Sequence, residues 1–196
     1  LFDIDRIEVL KGPQGTLYGR NTTGGAISVM SRKPGAETQG YVRGSYGNYS
    51  TGNDEYRIEG ALGGSLSDTL QARVAGVTYH SDGYMKNLID DSYVEKDRWA
   101  ARAQLNWAPT DRFNLLFNLH GSDNDSDADL YNSSADPDFY RGVSDISPVL
   151  QVEQAGASVK IDYALATNIE LTSITAYDEL DKLHQEDADM LPATII

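Results

Sequence analysis

Four aspartates alternate with other residues near the middle of the chain, and this spacing could bind a metal ion. They are Asp123, Asp125, Asp127 and Asp129. Alternating carboxylates can converge on Ca²⁺, but an EF-hand loop also needs Gly at its sixth position and Glu at its twelfth. Those positions hold Ala128 and Ser134, so a solvated external loop is the favoured interpretation and a calcium site the weaker one.

Other chemistry has little support in the sequence. Cys is absent from the 196 residues, which removes disulfides, thiol nucleophiles and thiolate zinc sites. The histidines His80, His120 and His184 are isolated and lack metal-ligand spacing. A net charge of −14, from 16 Lys+Arg against 30 Asp+Glu, disfavours nucleic-acid binding. We predict that the chain is not an enzyme and that it uses no cofactor.

Residues 4–34 form a glycine-rich segment. It is predicted to contain a strand at 7–10, a Gly/Pro loop, a short turn at Leu17-Tyr18 and a second strand at 26–31. The glycines allow positive φ and close backbone approach, so a compact unit in a confined space is expected; they are Gly12, Gly15, Gly19, Gly24 and Gly25. A phosphate-binding loop is excluded because no Gly-Lys-Ser/Thr follows and no long helix is predicted.

Beyond residue 40 the hydrophobic pattern has a period of two, which predicts an all-β, antiparallel structure. It is clearest between Arg98 and Trp107, where aromatic and aliphatic residues alternate with polar ones. About seven strands are predicted, at 41–49, 56–66, 70–79, 98–107, 113–120, 155–163 and 169–177. A soluble sheet with one wet face would give the same alternation.

The predicted connections favour a membrane barrel over that soluble sheet. Those at one end are short, whereas two at the other end, near 80–97 and 121–151, are long and polar, as in bacterial outer-membrane barrels. Trp99 and Trp107 share one face and would lie about 20 Å apart along the membrane normal, close to the spacing of two aromatic girdles in contact with outer-membrane lipid. Seven strands alone would leave two unpaired edges, so we expect a chain truncated at both ends, with further strands beyond it.

The segment before these strands resembles a known family. Arg6-Ile7-Glu8-Val9, Gly12-Pro13, Leu17-Tyr18-Gly19 and Gly24-Gly25 occur in the order found in the plug domain of TonB-dependent outer-membrane receptors. The resemblance covers about 30 residues and implies a transmembrane β-barrel of 22 strands with a plug inside. It assigns residues 1–36 to the C-terminal part of the plug and 37–196 to the N-terminal portion of the barrel.

The resemblance also implies a function in the Gram-negative outer membrane. Such a receptor takes up a scarce bulky nutrient, most often a ferric siderophore, with energy delivered by TonB. TonB would bind an N-terminal segment that these residues do not include, so the chain by itself is not expected to gate or transport. A passive porin or adhesin and a soluble β-rich polysaccharide hydrolase are the alternatives.

Charged residues of the plug motif give one hypothesis about gating. Arg6, Lys11 and Arg20 could tie the plug to the barrel wall through ion pairs that loosen during transport. Ordinary structural salt bridges are favoured over this role. Arg6 and Glu8 share one face of their strand and could pair across to a neighbour. The remaining motif residues are expected to determine the plug fold; these are Gly12, Pro13, Gly15, Tyr18, Gly19, Gly24 and Gly25.

Overall fold

The computed structural model describes residues 1–19, 21–131, 138 and 140–187. Its N-terminal segment is a two-stranded antiparallel sheet of β1 (Ile4–Lys11) and β2 (Gly25–Ser31), joined through a short helix α1 (Gly15–Tyr18). Gly12 and Gly25 have φ of 83° and 141°, backbone conformations that side chains with a Cβ rarely adopt. These glycines therefore let the chain leave β1 and enter β2.

Seven longer strands form a second, antiparallel sheet. They are β3 (Gln39–Asn48), β4 (Asp54–Ser67), β5 (Leu70–Ser81), β7 (Lys96–Thr110), β8 (Phe113–Ser126), β10 (Val149–Ala166) and β11 (Ile169–Gln185). Each strand pairs with its neighbours in this order, and β3 and β11 form the two edges. Two short strands, β6 (Lys86–Asn87) and β9 (Arg141–Gly142), pair in parallel outside this sheet.

The prediction of seven alternating strands is confirmed, but the strands are longer than expected. The turns at one end contain only residues 68–69, 111–112 and 167–168, while the connections at the other end cover 49–53, 82–95 and 127–148. The last two are shorter than predicted because pairing continues outward along the strands. Within the described residues, no helix is long and apolar enough to span a membrane.

The sheet has two chemically different faces. The inner face, defined here as the face that contacts residues 1–3, contains Glu59, Arg73 and Gln104, all buried. The outer face contains apolar side chains that stay exposed, such as Leu62 at 58% and Val74 at 54%. An antiparallel sheet with one apolar and one polar face produces the two-residue alternation seen in the sequence.

The connections at the long end fold together and do not extend separately. Asn87 donates its side-chain amide to the carbonyl of Ser144 at 2.9 Å, and its Oδ1 accepts from the Ser144 backbone N–H at 3.2 Å. The rings of Tyr49, Tyr84 and Tyr140 then join all three connections in one row, with centroids 5.4 Å and 5.9 Å apart. These contacts make 49–53, 82–95 and 140–148 one structural unit.

Replacing Asn87 by Ala should loosen two of these connections together. The substitution leaves the buried backbone groups of Ser144 without partners, a loss of about 1–3 kcal/mol per unsatisfied group. Hydrogen–deuterium exchange should then rise in both 82–95 and 140–148 but not in β4 or β5.

Asn48→Ala is the matched control, because the Asn48 side-chain amide donates within its own turn, to Gly52, Asn53 and Asp54. It should raise exchange in 49–53 alone. Independent exchange of 82–95 and 140–148 in the Asn87 variant would show that they are not one unit.

Candidate functional site

A buried ion-pair cluster joins the N-terminal segment to the inner face of the sheet. Arg73 on β5 donates from Nε to Asp3 Oδ2 at 2.8 Å and from Nη2 to Asp3 Oδ1, a bidentate pair. Arg102 on β7 approaches the same carboxylate, with Nη2 3.4 Å from Oδ2. The Asp3 side chain is 0% exposed and that of Arg73 6%, so water does not screen this pair. We call these three residues the Asp3 clasp.

Backbone contacts reinforce the Asp3 clasp. Arg102 donates to the Asp3 carbonyl oxygen at 3.2 Å, and the Arg32 N–H donates to the same oxygen at 3.1 Å. The Arg102 guanidinium also lies 5.0 Å from the centroid of the Phe2 ring, a cation–π contact. Asp3 has φ of 49°, a left-handed conformation that Asp adopts more readily than most residues. The backbone turn at Asp3 directs its carboxylate toward the inner face of the sheet.

The two arginines control the ionisation of Asp3. Burial would by itself raise its pKa, but the hydrogen bonds and positive charges of Arg73 and Arg102 outweigh burial, and the pKa lies below its ordinary value of 3.8. Asp3 therefore remains a carboxylate at neutral pH. One buried anion facing two arginines is compensated, whereas either arginine without it would be a buried unpaired charge.

The charged residues of the plug motif lie outside the Asp3 clasp. Arg6 pairs with Asp5 at 2.8 Å and with Glu8 at 2.7 Å, both within β1, and these side chains are exposed. Among the described residues Arg6 therefore forms ordinary salt bridges, the interpretation favoured from the sequence, and the hypothesis that it ties the plug to the wall stays a prediction. Lys11 is exposed at the end of β1, and Arg20 lies outside the described residues.

The other motif residues occupy the connection between β1 and β2. Gly15 and Tyr18 begin and end α1, and Gly19 follows it with φ of 85°. Pro13 and Gly24 lie beside the strand ends, next to Gly12 and Gly25 respectively. Their positions are those of residues that shape the connection, and a role in binding cargo remains a prediction that the structure does not test.

The predicted aromatic positions lie on the outer face of β7. Trp99 is 49% exposed and Trp107 43%. Near the short turns, Trp107, Phe113 and Tyr163 form a row with ring centroids 5.7 Å and 6.4 Å apart. Near the other end, the Tyr56 ring lies 5.1 Å from that of His80. Aromatic side chains thus occur at both ends of the exposed apolar band.

The alternating aspartates do not lie together in one loop. Asp123 and Asp125 belong to β8, which corrects the predicted loop at 121–151. Asp127 accepts from the Glu95 backbone N–H at 2.9 Å, and Asp129 pairs with Lys96 at 3.0 Å. Over the part of the chain that the structure describes, no group of three or more His, Cys, Asp or Glu side chains could hold a metal ion.

Comparison with known proteins agrees with this geometry. Residues 1–26 match the family model described as the TonB-dependent Receptor Plug Domain. The ferrioxamine B receptor of Salmonella typhimurium is 31% identical over 119 residues, which is 60% of this chain and 16% of that receptor. The pesticin receptor of Yersinia enterocolitica is 37% identical over 70 residues, 36% of this chain and 10% of that receptor.

Solved structures extend the similarity to the sheet. The ferric yersiniabactin uptake receptor FyuA of Yersinia pestis superposes with a TM-score of 0.79 at 25% identity, over 93% of this chain and 29% of that chain. The plug match, the receptor relatives and this structural match together support a fragment of a TonB-dependent receptor. The siderophore receptor PirA of Acinetobacter baumannii, at 18% identity and a TM-score of 0.70 over 92% of this chain and 27% of its own, supports the receptor fold alone. Receptors of this family are located in the Gram-negative outer membrane.

The sequence analysis did not identify Asp3, the residue that joins the N-terminal segment to the sheet. Asp3 precedes the motif, and its partners are 70 and 99 positions further along the chain. A usable signal existed, because the two-residue alternation places Arg73 and Arg102 on the polar face. Buried arginines require an anion, and Asp3 is among the few acids of the segment that could face them.

Replacing Asp3 by Asn should release the N-terminal segment from the sheet. Asn keeps the size of the side chain but leaves Arg73 and Arg102 without a counter-charge, which costs about 3 kcal/mol. Hydrogen–deuterium exchange of β1 and β2 should increase by about a hundredfold while the seven-stranded sheet stays protected. Asp5→Asn is the control, because Asp5 is half exposed and pairs with Arg6 on its own strand. Equal exchange in the two variants would contradict the assignment.

Acid should also release the N-terminal segment from the sheet in the unsubstituted protein. Because the pKa of Asp3 is depressed below 3.8 by its arginines, the stabilisation is complete above that value and is lost as the pH falls through the depressed pKa. Spin labels on β2 and β4 should therefore keep a constant distance from pH 7 to pH 5 and separate only in stronger acid. Separation near pH 6 would point to a histidine instead, and Asp3→Asn should remove the acid transition.

Proposed function

We propose that this chain is the plug-and-wall region of a receptor that imports ferric siderophores across the outer membrane with energy from TonB. The observation that carries the proposal is the Asp3 clasp, which holds the plug-like segment against the polar face of the sheet. The chain spans only 16% of the ferrioxamine B receptor, so the activity is proposed for the receptor that contains it.

The proposed plug and barrel-wall regions correspond to the two sheets. Residues 1–36 would be the C-terminal part of the plug and 37–196 the N-terminal portion of the barrel wall. The segment 32–38 connects β2 to β3, and Asp3, directly before β1, forms a buried ion pair with Arg73 of the seven-stranded sheet. A plug held this way blocks passive flow, so cargo can pass only when the contact is loosened.

The outer face supports an environment in lipid. Its exposed apolar side chains lie between aromatic rows at the two ends, and the exposure of Trp99 and Trp107 on this face supports the girdle role proposed for them. Eight residues of a tilted strand correspond to about 20 Å along the membrane normal, close to the apolar band of outer-membrane barrels. Outer-membrane lipid is thus proposed as the partner of this face.

The siderophore and TonB are proposed from the relatives. The curated relatives include ferrioxamine receptors, and the similar solved structures include uptake receptors for ferric yersiniabactin and enterobactin. TonB would act on a part of the receptor other than the residues described here. A passive porin is less well supported, because a pore does not need a buried ion pair that anchors a plug. A polysaccharide hydrolase is less well supported because the relatives are receptors.

The dependence of iron uptake on TonB distinguishes an energised receptor from a passive pore. Cells that express the receptor as their only siderophore receptor should accumulate radioactive iron from a ferric siderophore, and deletion of tonB should reduce uptake to background while surface binding persists. Uptake that is unaffected by the deletion would favour a passive pore. A receptor with the Asp5→Asn substitution should transport normally, because the exposed Asp5 carboxylate that it removes is outside the Asp3 clasp.

A further inference from the structure

His80, near the end of β5, lies between two carboxylates on the outer face of the sheet. Its Nδ1 is 2.7 Å from Asp97 Oδ1, and its Nε2 is 3.1 Å from Asp82 Oδ1. The ring of Tyr56, on the other neighbouring strand, lies 5.1 Å from the imidazole ring. Each nitrogen of the imidazole therefore meets a different acid. We call His80, Asp82 and Asp97 the His80 bridge.

The two acids of the His80 bridge mark the two ends of the connection 82–95. Asp82 is the first residue of this connection. Asp97 lies in β7, just after the connection ends, and is opposite His80 in the strand register. One imidazole thus joins both ends of the connection at the point where it leaves and re-enters the sheet.

Asp82 also joins this connection to the preceding one, 49–53. Its Oδ2 accepts from the Asp54 backbone N–H at 3.1 Å, and its own N–H donates to the Asp54 carbonyl oxygen at 3.0 Å. The Asn53 side-chain amide donates to the Asp82 carbonyl oxygen at 3.3 Å. Because the His80 bridge holds the Asp82 carboxylate in place, it supports the contact between the two connections as well.

Both hydrogen bonds of the His80 bridge require a protonated ring. An ionised carboxylate only accepts hydrogen bonds, and a neutral imidazole has one N–H whereas the imidazolium has two. Loss of the proton would leave either Asp82 or Asp97 facing a nitrogen lone pair. The geometry therefore ties the integrity of the bridge to the charge of His80.

The other charged groups around the ring are acids. They are Asp54 on β4, Glu95 two residues before Asp97, and Asp125, which is opposite Asp97 on β8 and accepts from Gln151. Lys96, the neighbour of Asp97 along β7, pairs with Asp129 at 3.0 Å instead. Among the described residues opposite His80 in the register, none is Lys or Arg. Carboxylates ordinarily titrate near pH 4 and phenols near pH 10, so the imidazole is the group expected to change charge around neutral pH.

The two carboxylates favour the charged form of His80. The residue lies one row beyond Trp99 toward the long connections, outside the apolar band. Its hydrogen bond to Asp97, with that to Asp82, outweighs the effect of burial and raises the pKa of His80 above its ordinary value of 6.5. The stabilisation is therefore complete below pH 6.5 and is lost as the pH rises through the raised pKa.

We propose that the His80 bridge is a pH-sensitive fastening for the long connections. The charged ring holds the two ends of 82–95 together, and alkaline medium opens them. Because Asn87 joins 82–95 to 140–148, both connections should become mobile. This inference goes beyond the proposed uptake function and needs neither a particular cargo nor TonB.

Hydrogen–deuterium exchange at several pH values tests the His80 bridge. The receptor that contains this chain is measured in outer-membrane vesicles between pH 6 and pH 9, and each rate is divided by that of an unstructured peptide at the same pH. The relative exchange of 82–95 should rise about threefold across this range, a modest change because both acids are partly exposed. Exchange of 140–148 should rise with it, while β4 and β5 stay protected.

Two substitutions at His80 assign the change to its charge. His80→Gln is neutral at every pH in this range, so 82–95 should exchange rapidly throughout. His80→Lys supplies a cation with three donors that stays charged up to about pH 10, so the slow exchange should persist at pH 9. His184→Gln is the matched control, because His184 pairs with Glu186 at 3.3 Å at the end of the edge strand β11. It should leave the pH dependence of 82–95 unchanged.

Four results would overturn the inference. They are relative exchange of 82–95 that does not change with pH, a pH dependence that survives in His80→Gln, its loss in His184→Gln, and rapid exchange at pH 9 in His80→Lys. If His80→Gln does not assemble, the pH series of the unsubstituted receptor and the His80→Lys variant still decide the question.

Discussion

The structure depends on one buried carboxylate that faces a buried arginine, Arg73, and a half-buried one, Arg102. A charge removed from water is costly unless it is paired and hydrogen-bonded, and Asp3 meets both conditions through Arg73 and Arg102. The same requirement acts in reverse, since Arg73 is only 6% exposed and could not stay buried without Asp3. The N-terminal segment and the wall are thus mutually dependent. Contacts that are exposed, such as the Arg6 pairs on β1, contribute far less to this attachment.

A second constraint separates charge between the two faces of the sheet. Arg57, Arg73, Arg98 and Arg102 all face inward, while the outer face carries exposed aliphatic side chains between aromatic rows. Lipid excludes unpaired charge from one face, and the other face is then free to carry the charged groups that bind the N-terminal segment. Strand alternation places these two functions on opposite sides of the same backbone.

The fold was largely predictable from the sequence because strand alternation is a local signal. The run from Arg98 to Trp107 identifies both faces of β7, and the tight turns near 68, 111 and 167 set the pairing. The strand ends were not predictable, since Asp123 and Asp125 look like loop residues until the pairing with β7 and β10 is known. Asp3 was missed for a related reason: its partners are distant in sequence.

A double-mutant cycle between Asp3 and Arg73 tests the central claim most directly. The free energy that holds the N-terminal segment on the sheet would be measured for Asp3→Asn, Arg73→Gln and the double variant. A buried, bidentate charge pair predicts a coupling energy of at least about 1.5 kcal/mol, with the double variant less damaged than the sum of the single ones. A coupling energy near zero would show that the two residues do not depend on each other and would contradict the account.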